Sequence, residues 1–500
     1  MCIRDRGLGV AAPKTASKTA LGTASEAAGD GVGPGPTAHS KPTQTHSTPP
    51  PTKAKLPTMS SQTDNVLRLV EQQDIAFIRL WFTDISGSLK TVMMSPAELE
   101  SAFEEGVGFD GSSIEGFSRV SESDTLLRPD PSTFQILPFD EDAGLQTARM
   151  FCDITMPDGD PLFADPRQVL RRQMNAAREM GFEFFASPEI EFYVVKPGED
   201  KITPADKGGY FDQAKRNEAP KLRRQAIAAL EYMGITTEFS HHEASPGQQE
   251  IDLRHTDALT MADNVVTFRY IVKTVAEATG VHATFMPKPF PHLDGSAMHT
   301  HFSLFEGETN AFHDPDDEIS LSRVGRQFIA GIIEHAPEIS AVTNQWVNSY
   351  KRLQFGSEAP TAATWGISNR SAMVRVPTYR LHKADSRRIE VRSLDSACNP
   401  YLAFAAVLAA GLKGIEGEYE LDEPARDDVF ALTRRERRAM GYRDLPGSLD
   451  QALRHLERSE FMAEVLGEQV FEFFLRTKWD EWHEYQSQVT PWEIETGLDL

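Results

Sequence analysis

Three short segments of the chain alternate ionisable and apolar side chains, as β-strands with one polar face do. They read Glu-Ile-Glu-Phe-Tyr-Val at 189–194, Met-His-Thr-His-Phe at 298–302 and Arg-Ile-Glu-Val-Arg at 388–392. Because successive side chains of a strand point to opposite faces, each segment is predicted to gather its charged or imidazole groups on one face. The apolar residues between them favour strands and face the other way.

The polar faces of these strands would be ordinary if they met bulk water. If they converge on a partly enclosed cavity instead, packing their carboxylates together costs on the order of several kcal/mol per ion unless cations offset the charge. Divalent metal ions and bound phosphate together would satisfy carboxylates and arginines. The pattern therefore predicts a cavity that holds metal ions and an anion.

Other patterns divide the chain into a tail, a small domain and a large domain. Residues 1–61 are rich in Ala, Gly, Pro, Ser and Thr without a hydrophobic period, which predicts a disordered low-complexity tail. We interpret Met59 as the true start and the preceding stretch as an erroneous extension, with a transit peptide as the alternative. A small domain is predicted at 62–150 and a larger one at 151–500, with a buried helix at 401–412.

Composition narrows the class of protein. With 500 residues and 40% hydrophobic content, the chain can bury a large core, more suited to two domains than to one. A net charge of -23 argues against non-specific binding to nucleic acid or to an acidic membrane. Its three cysteines, Cys2, Cys152 and Cys398, have no paired spacing, which favours a reducing cytoplasm. The apolar run at 401–412 is shorter than the roughly 20 residues that span a bilayer.

The candidate metal ligands are glutamates with one histidine. A Pro-Gly turn at 246–247 could bring Glu243 and Glu250 together. Carboxylates with one imidazole suit Mg²⁺ or Mn²⁺ better than a structural zinc, and two ions fit this number of ligands better than one. For a single glutamate the alternative is a solvated surface charge. His241 and His242 are interpreted as structural, and His301 has the same alternative.

Two further features carry candidate chemistry. Five arginines cluster late in the chain, where guanidinium groups could bind phosphate, although a surface ion-pair network is the alternative: Arg352, Arg370, Arg375, Arg388 and Arg392. With metal ions nearby they indicate phosphoryl transfer. The sequence has neither a P-loop nor a Rossmann motif. Asp110 lies in a glycine-rich loop at 106–114, where a simple turn-forming role is the alternative.

A series of ordered motifs covers the chain from about residue 62 to its end. They are Phe-Asp-Gly-Ser-Ser at 109–113, Pro-Glu-Ile-Glu-Phe at 188–192, the His-His-Glu to Gln-Glu-Ile run at 241–251, Phe-Met-Pro-Lys-Pro at 285–289, Gly-Ser-Ala-Met-His-Thr-His at 295–301, Asn-Ser-Tyr-Lys-Arg at 348–352, Glu-Ala-Pro at 358–360, Asn-Arg-Ser-Ala at 369–372 and Arg-Ile-Glu-Val-Arg at 388–392. Together they resemble type I glutamine synthetase, in its non-adenylylated, actinobacterial-like subgroup.

The resemblance implies an α+β fold, with a small β-grasp N-terminal domain and a large catalytic domain of antiparallel sheet and surrounding helices. It also implies a cytoplasmic homo-oligomer, a dodecamer of two stacked hexamers whose active sites lie between subunits. The implied reaction joins ammonia to the side-chain carboxylate of L-glutamate through γ-glutamyl phosphate and converts ATP to ADP and phosphate. Two or more Mg²⁺ or Mn²⁺ ions per site are implied, and neither nucleic acid nor membrane is an expected partner.

The resemblance also assigns roles to residues. The expected metal ligands are Glu191, Glu243 and Glu250 for one ion and Glu189, His299 and Glu390 for the other. The expected nucleotide contacts are Glu238, His301 and Ser303, with Arg370, Arg375 and Arg388 on the phosphates. The positions matched to glutamate binding are Gly295, Arg352, Glu358 and Arg392. Asp110, from a neighbouring subunit, is expected to take a proton from ammonium with the support of the flap residue Glu358, and Arg370 is counted with them as catalytic.

Some positions depart from the common family pattern. Asp294 replaces an asparagine, Ala297 a glycine and Ser357 a tyrosine, which leaves a γ-glutamyl amine ligase acting on polyamines or ethanolamine as the alternative function. Phe430 lies near the place of an adenylylated tyrosine, so we expect no adenylylation there. A non-catalytic relative is disfavoured because all six expected ligands are present, and a guanidino kinase because it would lack the Asp110 loop and the flap.

Overall fold

The computed structural model describes residues 59–114, 124–139, 144–198, 201–213, 218–354, 357–378 and 383–500. The predicted tail lies outside these residues up to residue 58. Its last part, 59–61, belongs to helix α1 (Met59–Gln72), so regular structure begins slightly before the predicted boundary.

The first sheet belongs to the small N-terminal domain. Its strands are β1 (Ile75–Thr83), β2 (Leu89–Met94), β3 (Val107–Asp110), β4 (Asp124–Pro129), β5 (Gln135–Ile136) and β6 (Gln146–Thr155). They pair in the order β2-β1-β6-β4-β3, with β5 against β6, and only the β1–β6 pairing among the described strands of this sheet is parallel. The strand expected at 76–82 is confirmed as part of β1. Strand β6 continues past the boundary predicted at residue 150.

The second sheet carries the three polar-faced segments. Its strands are β7 (Glu183–Lys196), β8 (Thr203–Pro204), β9 (Thr237–His242), β10 (Gln248–Leu253), β11 (Thr256–Asp257), β12 (His282–Thr284), β13 (Met298–Glu306), β14 (Thr309–Asn310), β16 (Trp365–Ile367), β17 (Val374–Val376) and β18 (Ile389–Val391), whereas β15 (Ala362–Ala363) and β19 (Arg443–Asp444) form a separate pair. The order is β16-β17-β18-β13-β7-β10-β9, and all described pairings except β16–β17 are antiparallel. The predicted strand at 388–392 is shorter than expected, because only Ile389–Val391 pair.

Helices make up much of the remaining described chain, and several of those in the large domain pack against the apolar face of this sheet. After α1 they are α2 (Leu99–Glu104), α3 (Pro166–Glu179), α4 (Glu218–Tyr232), α5 (Ala258–Ala278), α6 (Arg323–Thr343), α7 (Ser349–Arg352), α8 (Pro400–Glu416), α9 (Arg434–Ala439), α10 (Leu449–Glu457), α11 (Glu460–Leu466), α12 (Glu468–Ser487) and α13 (Pro491–Gly497). The buried helix predicted at 401–412 is confirmed within α8. Helices α6 and α8 approach closely because Gly331 has no side chain: a Cβ there would lie 2.0 Å from the Ala410 carbonyl oxygen.

The two faces of β1 serve two cores. Ile78, Leu80 and Phe82 are buried in the core of the small domain, whereas Trp81 belongs to the core of the large domain and meets Tyr270 of α5 with ring centroids 5.0 Å apart. The small sheet is therefore joined to the large domain through a buried aromatic contact. In the described part of the chain, no helix is long and apolar enough to span a membrane.

Candidate active site

Strand register brings the predicted polar side chains onto one face of the second sheet. Glu189 of β7 is paired with His299 of β13, and Glu191 with Glu250 of β10. Glu390 of β18 stands opposite His301 on the other side of β13. Because side chains alternate along each strand, these pairings place the carboxylates and imidazoles of four neighbouring strands on the same side. Of these side chains, those of Glu189, Glu191, Glu250 and His299 line a cavity of about 350 Å³.

One group of possible metal ligands is the predicted set Glu189, His299 and Glu390. One ligand atom from each lies within 4.8 Å of the others. Burial, followed by the charge of Arg392, lowers the pKa of His299 to about 4, so its imidazole is neutral at pH 7 and able to bind a cation. Although burial opposes it, the positive charge of His301 keeps the pKa of Glu189 well below its usual range. The pKa of Glu390 is lowered by Arg392 against the effect of burial.

A second group consists of His241, Glu243 and Glu250, again with one ligand atom each within 4.8 Å. The imidazole of His241 lies between the two carboxylates, 3.3 Å from Glu243 and 3.2 Å from Glu250. The interpretation of His241 as a structural histidine did not anticipate this position. His242 does have structural contacts, because it is buried and its Nε2 lies 3.0 Å from Oδ1 of Asp206.

Glu191, the remaining predicted ligand, lies beside the second group. Its Oε2 accepts hydrogen bonds from Nε2 of Gln248 and from the backbone N–H of Ala297, both at 2.9 Å. Burial, and then the charge of Glu243, raises the pKa of Glu191 to about 8. This carboxyl group therefore keeps one oxygen for a ligand while the other is held by the protein.

The second group carries more negative charge than its surroundings balance. Burial comes first in raising the pKa of Glu250 well above its usual range, followed by the charges of Asp252 and Glu191. Burial also raises the pKa of Glu243, with Asp294 adding to it. Several carboxyl groups that resist ionisation because they crowd one another form a site at which a divalent cation would be strongly stabilised. The donor set, hard oxygens with a neutral imidazole, fits Mg²⁺ or Mn²⁺.

Arginines line the other side of the cavity. Arg352 is only 2% exposed and donates to the backbone oxygens of Ser393 at 2.8 Å and Arg392 at 3.0 Å. Arg375 and Arg392 each donate to Glu390, one to each carboxylate oxygen. The Nε atoms of Arg375 and Arg392 are buried, and no described residue accepts a hydrogen bond from them. Fixed guanidinium groups with spare donors are suited to binding a carboxylate or a phosphate.

Gly295 allows the loop before β13 to pass close to Arg352. A Cβ at this position would lie 2.6 Å from Cγ of Arg352 and 2.7 Å from the Pro287 carbonyl oxygen, so any side chain would displace one of them. The neighbouring Asp294 accepts a hydrogen bond of 2.8 Å from Oγ of Ser245. Both residues line the cavity, which places a carboxylate at its rim where the common family pattern has an asparagine.

The predicted flap residue Glu358 also lines the cavity, from an exposed position. Its carboxylate forms an ion pair of 3.0 Å with Arg370, and the two side chains are 66% and 73% exposed. An ion pair at this exposure contributes little to stability, so both groups can turn to a ligand at low energetic cost. Ser357 is held through its Oγ by the Arg352 carbonyl oxygen at 2.8 Å.

Other predicted residues lie away from the cavity wall. Asp110 is exposed at the end of β3, where its Oδ1 accepts a 2.9 Å hydrogen bond from the N–H of Ser112, and it does not line the cavity of its own chain. Glu238, Ser303 and Arg388 are also absent from the described cavity lining. The charges of Glu238, Glu189 and Glu390 act on the Arg388 guanidinium, whose pKa is lowered chiefly by burial, so this arginine faces the same sheet surface.

His301, a predicted nucleotide contact, lies beside Glu189 of the first group of possible metal ligands. It is buried, and its Nε2 lies 2.8 Å from Oε1 of Glu189. Its Nδ1 is buried and has no hydrogen-bond partner in the part of the chain that the structure describes. One ring nitrogen is thus available to orient a ligand or a water molecule.

Sequence reasoning missed Asp252 and Tyr210. Asp252 is paired with Glu189 across β7 and β10, and burial, followed by the charge of Glu189, raises its pKa to about 8. Tyr210 lines the cavity, and its ring contacts that of His241 with centroids 5.4 Å apart. The alternation of side chains along β10 could have indicated Asp252, because it lies two residues after Glu250 and so on the same face. For Tyr210, in a segment outside the strands, no pattern was available.

The fold and the site define a class of protein: an enzyme with a carboxylate-rich, arginine-lined cavity on an antiparallel sheet, of the kind that handles metal ions and anionic substrates. Comparison with known proteins identifies the family. The model of the glutamine synthetase catalytic domain matches residues 163–496, and that of the glutamine synthetase β-grasp domain matches residues 74–157. The chain therefore belongs to the glutamine synthetase family.

The sequences of curated relatives match this chain over nearly all of the described residues. The chain is 65% identical over 446 residues to the glutamine synthetase of Mycolicibacterium smegmatis, covering 88% of this chain and 100% of the relative. It is 64% identical to that of Mycobacterium tuberculosis H37Rv with the same coverage. The glutamine synthetase of Thermotoga maritima is 44% identical over 441 residues, with 87% and 99% of the two chains covered. These identities support the type I, actinobacterial-like subgroup.

Solved structures confirm the α+β fold. A GmaS complex with ADP superposes with a TM-score of 0.78 at 31% identity, covering 87% of this chain and 99% of its own. Plasmodium falciparum glutamine synthetase superposes with a TM-score of 0.79 at 23% identity, covering 89% and 99%. The second likeness bears on the fold alone.

Proposed function

We propose that the cavity binds L-glutamate, ATP and ammonium and makes glutamine through γ-glutamyl phosphate. ATP is needed because a carboxylate oxygen is too poor a leaving group for ammonia to displace, whereas phosphate leaves readily from an acyl phosphate. The observation that carries the proposal is the meeting of two groups of metal-type ligands and several arginines on one sheet face. Phosphoryl transfer requires this combination of positioning and charge neutralisation.

Two divalent ions would be held by this chain's own carboxylates and imidazole. Glu189, His299 and Glu390 would hold one, and Glu243 and Glu250 with Glu191 the other, His241 being a competing ligand on geometric grounds. When bound, Mg²⁺ or Mn²⁺ supplies charge neutralisation to the phosphoryl oxygens of ATP. The crowded carboxyl groups with raised pKa support this occupancy, since a cation offsets their mutual repulsion.

Arginines are proposed to position both substrates. Arg352 and Arg392, beside the close-packed Gly295, would hold the carboxylates of glutamate. Arg370, Arg375 and Arg388 would contact the phosphates, and Glu238, His301 and Ser303 the rest of the nucleotide. Because Arg352 is fixed by backbone oxygens, its orientation is set before substrate binds, which lowers the entropic cost of binding.

Asp110 and Glu358 are proposed to activate the amine. Asp110 would bind ammonium and take its proton as a general base, and Glu358 would support it and exclude water when the flap closes. The exposure of Asp110 and its absence from its own chain's cavity support delivery from a neighbouring subunit. The dodecamer of two stacked hexamers, which the family resemblance implies, is part of this proposal.

The cytoplasm is the proposed compartment. Cys152 and Cys398 are both buried as free thiols, as expected for a protein that folds in a reducing environment.

The proposed function is tested by phosphate release from ATP and glutamate, with ammonium, putrescine and ethanolamine compared in parallel. We expect ammonium to stimulate release and glutamine to accumulate in equal amount. Stimulation by putrescine or ethanolamine alone would assign the enzyme to the γ-glutamyl amine ligases.

The role of Asp110 is tested separately by Asp110→Ala, with Asp124→Ala on the paired strand as a matched control. Amide formation should be abolished in the first variant and retained in the second. Near-full turnover of Asp110→Ala would refute its role as the base.

A further inference from the structure

A second cavity, here called the α5 pocket, lies where the β1–β2 turn meets helix α5 and the segment after β12. Its volume is about 540 Å³, and the residues that matter to its chemistry are Leu89, Arg269, Lys273, Phe285 and Trp346. It shares no described lining residue with the catalytic cavity.

The charge of the α5 pocket is opposite to that of the chain. Two cations line it and no described lining residue is Asp or Glu, although the net charge of the sequence is -23. Of the acids in adjoining segments, Asp84 pairs with Lys90 at 3.0 Å, and Asp395, whose charge acts on Arg269, accepts the Ala397 N–H at 3.0 Å. A cationic cavity in an acidic protein, with no carboxylate of its own, is a site for an external anion.

The two cations have donors that no described residue uses. Arg269 donates through its NH2 group to the Cys398 carbonyl oxygen at 2.8 Å, while its Nε is buried and has no hydrogen-bond partner among the described residues. Lys273, one helical turn further along α5, is exposed and forms no ion pair with a described residue. A buried donor without an acceptor is unfavourable, so an anion that accepts from it would stabilise the pocket.

The rest of the wall is apolar and aromatic. The Phe285 ring is 5% exposed and lies beneath the Lys273 ammonium, 5.8 Å from its centroid. Trp346 is fixed by a 3.0 Å hydrogen bond from its Nε1 to the Ala397 carbonyl oxygen. Such a wall buries an apolar body while the cations hold an anionic end.

Two chain segments connect the α5 pocket with the catalytic cavity. The segment from Phe285 to Gly295 runs from one to the other, and its turn is closed by the Ser296 N–H donating to the Pro287 carbonyl oxygen at 2.8 Å. The segment from Arg392 to Ala397 does the same on the other side. Displacement of either segment would move a group that lines the catalytic cavity.

We propose that the α5 pocket binds a small organic anion, a carboxylate or phosphate on an aromatic or apolar body, and that its occupancy changes glutamate binding in the catalytic cavity. This role is separate from the proposed reaction, because none of the groups assigned to catalysis lines the pocket. The ligand acts on the protein through the two shared segments.

The test is isothermal titration calorimetry of the whole protein with phenylacetate, with neutral 2-phenylethanol as the uncharged probe. We expect phenylacetate to bind and Lys273→Gln to weaken it about ten-fold, the value of one charge-assisted hydrogen bond. Lys221→Gln, at an exposed lysine on α4, should leave the affinity unchanged. Absence of binding at millimolar concentration, equal affinity in Lys273→Gln, or equal binding of 2-phenylethanol would overturn the proposal.

The coupling is tested by the KM for glutamate. Phenylacetate should change this KM about five-fold in the native enzyme and leave it unchanged in Lys273→Gln. An unchanged KM in the native enzyme, or simple competition that persists in the variant, would contradict it. Glutamine synthesis without phenylacetate should be the same in both enzymes, so a failure of the proposed function would be visible separately.

Discussion

Two clusters of charged side chains in this protein are built on opposite principles. Between the two domains, Arg167 is 4% exposed and binds Asp130 and Asp263, each at 2.9 Å, as well as Asp153. Tyr401 completes this network by donating to Asp263 at 2.6 Å. In the cavity, by contrast, the neighbouring carboxyl groups of Glu191, Glu243 and Glu250 form no ion pair with an arginine or lysine among the described residues, and only imidazoles lie within ion-pair distance.

The pKa values express this difference. Although burial opposes it, Arg167 lowers the pKa of Asp130 in the interdomain network. In the cavity, burial and neighbouring carboxylates raise the pKa of Glu191 to about 8 and that of Glu250 well above its usual range. A network that satisfies its own charges holds a fold together, whereas one that leaves its charges unbalanced is ready for a ligand.

The largest expected effect comes from the removal of one carboxylate charge from the cavity. Glu243→Gln should reduce glutamine synthesis by at least about a hundred-fold, because a proposed metal ligand and its charge are lost from the cavity. Its thermal stability without added metal should equal or exceed that of the native protein, because one source of repulsion is removed. The measurements are steady-state phosphate release and a thermal melt of the metal-free protein.

One result of the Glu243→Gln experiment would contradict this prediction. A large loss of stability in the metal-free protein would mean that Glu243 serves the fold, as the interdomain acids do. Glu308→Gln, at an exposed turn between β13 and β14, is the control and should change neither quantity.

Much of the cavity was predictable because strand alternation has a period of two residues. Alternation alone places Glu189 and Glu191 on one face of β7 and His299 and His301 on one face of β13, and the register of the two strands agrees. Alternation does not specify which strands are neighbours. The pairing of His241 and Asp252 with cavity residues therefore depends on register that is set by the whole sheet.

Loops and subunit contacts were the less predictable part. The close approach of Gly295 to Arg352 joins residues far apart in sequence, and no local pattern encodes it. The proposed place of Asp110 in a site depends on a second chain. The resemblance to a family matched Gly295 and Arg352 to glutamate binding and assigned Asp110 to a neighbouring subunit, and both assignments stay predictions.

The second prediction concerns the loss of the arginine at the centre of the interdomain network. Arg167→Met should lower the free energy of unfolding by about 3–5 kcal/mol, because three carboxylates lose their buried counter-charge. Chemical denaturation measures this change. Arg171→Met is the matched control: its side chain is 33% exposed and also pairs with Asp153, so a loss of about 1 kcal/mol or less is expected. Equal losses would show that burial of Arg167 is not the cause.

The third prediction sharpens the assignment of ligands within the cavity. Glu191→Gln should weaken Mn²⁺ binding more than His241→Gln, because hard divalent ions prefer carboxylate oxygen and because the lost charge adds to the effect. Calorimetric titration of each variant with MnCl₂ gives the two affinities. The reverse order would make His241 the ligand and leave Glu191 as a group that orients Gln248 and the Ala297 N–H.

The smallest expected effect concerns the carboxylate at the cavity rim. Asp294→Asn keeps an oxygen that can accept the Ser245 hydroxyl and removes one negative charge that acts on Glu243. At a partly exposed position the interaction energy of this charge with another charge is up to about 1 kcal/mol. Because its removal lessens repulsion of the substrate carboxylates, the KM for glutamate should fall by about two- to five-fold.

The same substitution separates two explanations of Asp294. If its charge favours a cationic acceptor, Asp294→Asn should lower any activity with putrescine while it improves glutamate binding. Asp316→Asn, at an exposed carboxylate outside the cavity lining, controls for the change in net charge. A rise in the KM for glutamate would instead show that Asp294 contacts the ammonium group of the substrate, because only an attractive contact is weakened when its charge is removed.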